Sequence, residues 1–370
     1  MTLPMLRILF FALLLLTGTE WVLAEPLPNP ETSRQWLVSL HAWAVPRYQH
    51  LRETTQTLSD SIDRACQSPP SSSAGKSLQT TWVEATRSWR ELEALQLGPT
   101  LSRRSSRTID FWPTRPSVIE QAALMTASAP ASGPQADDLM QRWGTAAKGL
   151  PALEWFLFPE AGQAAPLWRS PAHCLYARRV AMGVASESAV LLTAWEREAA
   201  RWPTATPEDV QRAIGETLNL MVGSCELLRG KKMQKGARVQ AMGGPEGRLT
   251  MAFDGARSGN TRRFLLAHFD ALAQLTIGRS PQLPYLREGP SLGLQGMLQK
   301  AGLSSEAAPL LPAVQSARQA LSALPADPKQ WTVARTDAAA AALRSLREVI
   351  DPPIARALQV KITFTDADGD

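Results

Sequence analysis

In the stretch SLQTTWVEATRSWRELEAL, the apolar residues Leu78, Trp82, Ala85, Trp89 and Leu92 recur at alternating spacings of four and three. That period lays one apolar stripe along a helix and turns Glu84, Arg87, Arg90 and Glu91 toward water. Residues 174–202 repeat the pattern with Ala181, Val184, Leu191 and Trp195 on one face. Residues 32–66 predict another long helix carrying Trp36, Leu40 and Trp43, bent at Pro46, which cannot donate the ladder hydrogen bond. Alternation of the strand type is almost absent. The pattern predicts an all-α protein.

Punctuation divides the pattern. Trp202-Pro203 cannot easily continue a helix, and Thr206-Pro207-Glu208-Asp209 has the parts of a helix start: a capping hydroxyl, proline at the first position, and acids at the positive end. Eleven of the twelve tryptophans precede position 203, so the first half predicts an aromatic core and the second a Leu/Ala-rich one. Two helical bundles in tandem follow, 25–203 and 204–370. The segments 126–136 and 323–328 read as loops. Ahead of them, MTLPMLRILFFALLLLTGTEWVLA combines one early arginine, a short apolar run and a small-residue end, the make-up of a cleaved secretory signal over 1–24. No later run is long enough to cross a bilayer.

The net charge of +5 changes little, because lysine and arginine are spread along the chain. The clusters RRSSR (103–107) and RGKKMQKGAR (229–238) lack interleaved aromatics, so they read as solvated faces and not as a nucleic-acid surface. Three cysteines in an exported chain predict one disulfide and one spare thiol. Cys66 and Cys174 stand at predicted helix termini and are the expected pair. Cys225 lies inside an apolar stripe and reads as a buried small hydrophobe.

Four places break the helical pattern. Residues 97–116 read as an irregular basic loop bearing Trp112 and Arg115, either a site loop or a cover packed on the bundle. In AAKGLPALEWFLFPE (146–160), Pro151 suits a first helical turn, and Glu154 sits among Leu153, Trp155, Phe156 and Phe158 near the positive helix end. A buried carboxylate needs a partner, so Glu154 requires an arginine, a helix terminus or a cation. In FDGARSGNTRRF, Asp254 precedes Arg257, Ser258 and Asn260, which read as a helix cap or as a seat for an anion. The end, TFTDADGD, copies half of a calcium loop and lacks its twelfth-position acid. The four histidines have no zinc spacing, and neither a nucleophile elbow nor a phosphate loop is present.

Taken together, LGP (97–99), FWP (111–113), GLPALEWFLF (149–158), ARSGNT (256–261) and FTDADGD (364–370) resemble the imelysin-like family of bacterial envelope proteins, which includes iron-regulated protein A and an insulin-cleaving membrane protease. The resemblance implies two helical domains in the periplasm or on the envelope, a link to iron uptake, and a site between the domains. It places Trp112, Glu154, Asp254, Arg257 and Ser258 at matching positions. Glu154 and Asp254 then become the expected oxygen ligands for iron or another hard cation, and other envelope iron-uptake proteins the expected partners. Pro151 stands where the family's Gly-x-His-x-x-Glu motif has histidine, and Thr365 replaces an asparagine. A proline ring neither ligates metal nor carries protons. The expectation is therefore a non-enzymatic binding protein, with a metallopeptidase or a metal-free scaffold as alternatives.

Overall fold

The computed structural model describes residues 29–67, 72–127, 142–159, 167, 170–243 and 252–362. The leader, most of the 126–136 segment and the acidic C-terminal end lie outside these residues. The described residues form an all-α architecture. Helices α1 (Pro30–Gln67), α2 (Ser72–Glu93), α3 (Pro116–Ala127), α4 (Gly149–Leu157) and α5 (Pro171–Arg201) build the first half. Helices α6 (Pro207–Glu226), α7 (Thr261–Ile277), α8 (Leu294–Lys300), α9 (Leu310–Ser322) and α10 (Val333–Val349) build the second. Leu78, Trp82, Ala85, Trp89 and Leu92 are all buried, as are Ala181, Val184, Leu191 and Trp195 on α5. Helix α1 runs on through Pro46 and packs against α2 and α5.

Two local expectations need correction. Residues 97–116 contain two short helices, Gly98–Ser102 and Ser106–Ile109. Pro99 presets the first of them, and its Thr100 hydroxyl is drawn into the core by Tyr48 Oη at 2.6 Å and Trp195 Nε1 at 2.9 Å. Arg90 does not face water: it is 1% exposed, because α7 covers the face of α2 that a single bundle would leave wet.

The junction near residue 203 folds as its sequence reads. Trp202–Thr204 forms a short 3-10 turn, then the Thr206 hydroxyl accepts the Asp209 N–H at 3.2 Å to start α6. Packing crosses this junction. Helix α7 lies against α2, and Trp43 Nε1 donates to Gln274 at 3.1 Å. The buried apolar residues of both halves form one connected cluster. Cys66, near the end of α1, bonds Cys174, at the start of α5. Cys225 is buried and its thiol is pushed up to about 12 by burial.

Behind Trp202 sits His41. Its Nδ1 faces the Leu37 carbonyl at 2.8 Å, and its Nε2 accepts the Trp202 indole N–H at 2.9 Å. Burial lowers its pKa from 6.5 to about 4. The unfolded chain takes up this proton below 6.5 while the folded chain resists it, so stability is full above 6.5 and declines as pH falls toward 4. Relative to the non-titrating His41→Gln variant, wild type loses on the order of 3 kcal/mol across that window, measured by urea unfolding at stepped pH.

Candidate functional site

Glu154 is the sixth residue of α4 and is 6% exposed. The segment approaches the 97–116 region so closely that Gly149, at φ +84°, has no room for a side chain: a Cβ would lie 2.6 Å from the Ile109 carbonyl oxygen. The indole of Trp82 anchors the same turn through the Leu150 carbonyl at 2.9 Å. Glu154 does not use the positive end of its own helix, since it already lies in the second turn. Its Oε1 instead accepts the Ser258 backbone N–H at 2.8 Å, across the junction. Burial raises the Glu154 pKa from 4.5 to about 7, opposed by the Ser258 bond and helped by the nearby Asp254 charge.

The turn that supplies this amide, 252–260, reaches its shape through Gly255 and Gly259, both at positive φ. Asn260 gives α7 no side-chain cap; its amide donates to the Ser258 carbonyl at 2.8 Å and braces the turn. The side-chain cap is thus not formed, and the Ser258 amide of the turn is taken by the chain's own Glu154. Arg257 stacks its guanidinium 4.0 Å from the Trp155 ring centre and donates Nε–H to the Phe158 carbonyl.

Asp254 points the other way, into a buried charge cluster that the sequence does not announce. Its Oδ1 takes a bond from Arg90 Nη2 at 2.8 Å and its Oδ2 one from Lys232 Nζ at 2.7 Å. Arg90 also grips Asp110, with 2.8 Å between Nη2 and Oδ1, and lies 3.5 Å from Glu93. Lys232 reaches Glu93 at 2.9 Å, and His268 Nδ1 meets Glu93 at 3.2 Å. Burial alone would raise the Asp254 carboxyl, but Arg90 and Lys232 outweigh it and hold the pKa below the usual range. Glu93 is held well below its range by the same contest, with Lys232 and Arg90 prevailing. Asp110 goes up, because burial there prevails over Arg90.

Lys232 belongs to the run read as a solvated basic face. It is buried because the chain from Leu227 to Gln234 is π-helical, which shifts the helical phase and turns Lys232 inward. Trp112 is half-buried and Arg115 is exposed, its guanidinium 5.8 Å from the Phe111 ring centre. Neither side chain is brought to Glu154 or Asp254 by a hydrogen bond or ion pair among the described residues. Their loop contributes Asp110 instead.

The comparisons with known proteins agree with this architecture. The imelysin family model matches residues 44–359, and the chain belongs to that family. An imelysin-like protein from Psychrobacter arcticum 273-4 superposes with a TM-score of 0.70 at 16% identity, covering 91% of this chain and 98% of that one. A protein described as an iron-regulated protein A precursor, from Parabacteroides distasonis ATCC 8503, gives a TM-score of 0.70 at 14% identity, covering 88% and 95%. At these identities the likeness is one of fold. No curated protein matches the chain.

Two outcomes test the geometry. Asp254→Ala removes the acid that Arg90 and Lys232 share, leaving Asp110 and Glu93 as their buried partners, and lowers unfolding free energy by about 3–5 kcal/mol in urea titrations. Glu154→Gln keeps an acceptor for the Ser258 amide and removes the titration. Because the folded chain holds the Glu154 proton up to about 7 and the unfolded chain releases it near 4.5, wild type loses stability relative to this variant as pH rises through that window. The expected relative loss is on the order of 3 kcal/mol, read from paired unfolding curves at pH 4.5 and 8.

Proposed function

We propose that this protein is an exported, non-enzymatic component of the bacterial envelope that serves iron uptake by binding a partner, its two helical halves acting as docked domains. In this reading the Glu154–Asp254 region is the key that fixes their junction. The observation that carries it is the occupation of the acids. Both Asp254 oxygens are engaged by cations, and Glu154 Oε1 by a backbone amide. A hard cation ligated there would have to displace an ammonium and a guanidinium, so the donor set does not fit a resident metal. Among the described residues, no three His, Cys, Asp or Glu side chains are gathered closely enough to hold one.

A metallopeptidase needs a metal-bound water and a base, and Pro151 removes the histidine that the family motif would contribute. Export is supported by the leader-like N-terminus and by the Cys66–Cys174 disulfide, a bond that persists in oxidising compartments. Among the described residues, no helix is long and apolar enough to cross a membrane. The iron link rests on the family and on the relative described as iron-regulated protein A.

Growth under iron chelation is the test. A deletion strain is expected to grow more slowly than its parent, and wild type and Glu154→Gln are expected to restore growth equally. Calorimetric titration of the metal-stripped protein with ferric citrate and zinc is expected to give no stoichiometric binding that Glu154→Gln abolishes. Metal binding lost in that variant, metal-dependent cleavage of an unfolded polypeptide, or indifference of the deletion strain to iron would each overturn the proposal.

A further inference from the structure

The charge cluster borders a small cavity of about 10 Å³, lined by Arg90, Glu93, Lys232, Asp254, Thr261 and His268 together with apolar side chains of α7 and Leu228. That is the room one water needs. Three lining residues each carry a buried polar atom without a hydrogen-bond partner: Arg90 Nε, Thr261 Oγ1 and His268 Nε2. Each residue is at most 3% exposed, so bulk solvent does not serve these atoms. An orphaned polar group in such a place costs about 1–3 kcal/mol, and three on one cavity call for a common partner.

The chemistry of the three atoms selects that partner. Arg90 Nε–H is a donor. His268 Nδ1 lies 3.2 Å from the Glu93 carboxylate, and its Nε2 is the ring atom without a partner; an imidazole nitrogen donates or accepts according to where its proton sits. The Thr261 hydroxyl serves as either. A ligand must therefore accept from Arg90 while exchanging a bond with each of Thr261 and His268. Water does all three. A halide accepts from Arg90 but has no proton to give, and the nearby carboxylates of Glu93, Asp110 and Asp254 oppose its charge. A metal cation would face the Arg90 guanidinium.

We propose that this cavity is a site for a single internal water that bridges Arg90 on α2 to Thr261 and His268 on α7, adding a hydrogen-bonded link between the two helices to the direct Glu93–His268 contact. A crystal structure of the full mature chain, with and without a bromide soak, tests this at high resolution. One water peak within hydrogen-bond distance of all three atoms, without anomalous signal after the soak, is expected. In oxygen-17 relaxation dispersion, Thr261→Val, which keeps shape and removes the hydroxyl, is expected to lose one long-lived water. A bromide peak in the cavity overturns the proposal in favour of an anion. So does density without a water and with the three atoms turned to other partners, or a long-lived water count unchanged in Thr261→Val.

Discussion

The structure depends on one carboxylate held between two cations. Asp254 lies between Arg90 and Lys232, and each cation is in turn shared with a further acid, Asp110 or Glu93. Every member is withdrawn from water, so each charge persists only because its partners are in place. The members come from both halves of the chain. Arg90, Glu93 and Asp110 belong to the first half, and Lys232, Asp254 and His268 to the second. Such a cluster adds less to net stability than its number of ion pairs implies, since desolvation offsets much of the attraction. What it adds is registry, because apolar packing of α7 on α2 tolerates sliding and a set of mutually dependent charges does not.

Glu154 complements this cluster by a different route. Among the described residues of the second half it meets no cation at hydrogen-bond distance; it meets a peptide N–H presented by a glycine-shaped turn. Asp254 and Ser258 sit four residues apart on that turn, so one short segment engages α2 through its acid and α4 through its amide. Arg257, between them, lies on Trp155. The turn is thus clamped on two sides of the first half.

Much of the fold was legible because helical periodicity is local. The stripes on α1, α2 and α5, the start of α6 at Thr206 and the pairing of Cys66 with Cys174 all follow from short-range pattern. Glu154 was legible too, as one acid in a greasy run. Arg90 was not, because a periodic reading assumes that a helix has one wet face, and α7 covers the second face of α2. Lys232 was hidden by its neighbours in a basic run and by a π-helical turn that breaks the assumed phase. Asp110 sat in a segment without periodicity, where Trp112 and Arg115 drew the eye by residue type alone. The family resemblance pointed to Glu154 and Asp254 as metal ligands, whereas the geometry gives those acids protein partners.

The division of the buried charges also bears on modularity. Cut at the 203 junction, the first fragment would keep a guanidinium with two acids and the second an ammonium with one, each laid open on a broad apolar face. Neither piece would be a free-standing unit that could be shuffled, swapped or expressed alone, even though the helices divide neatly on paper.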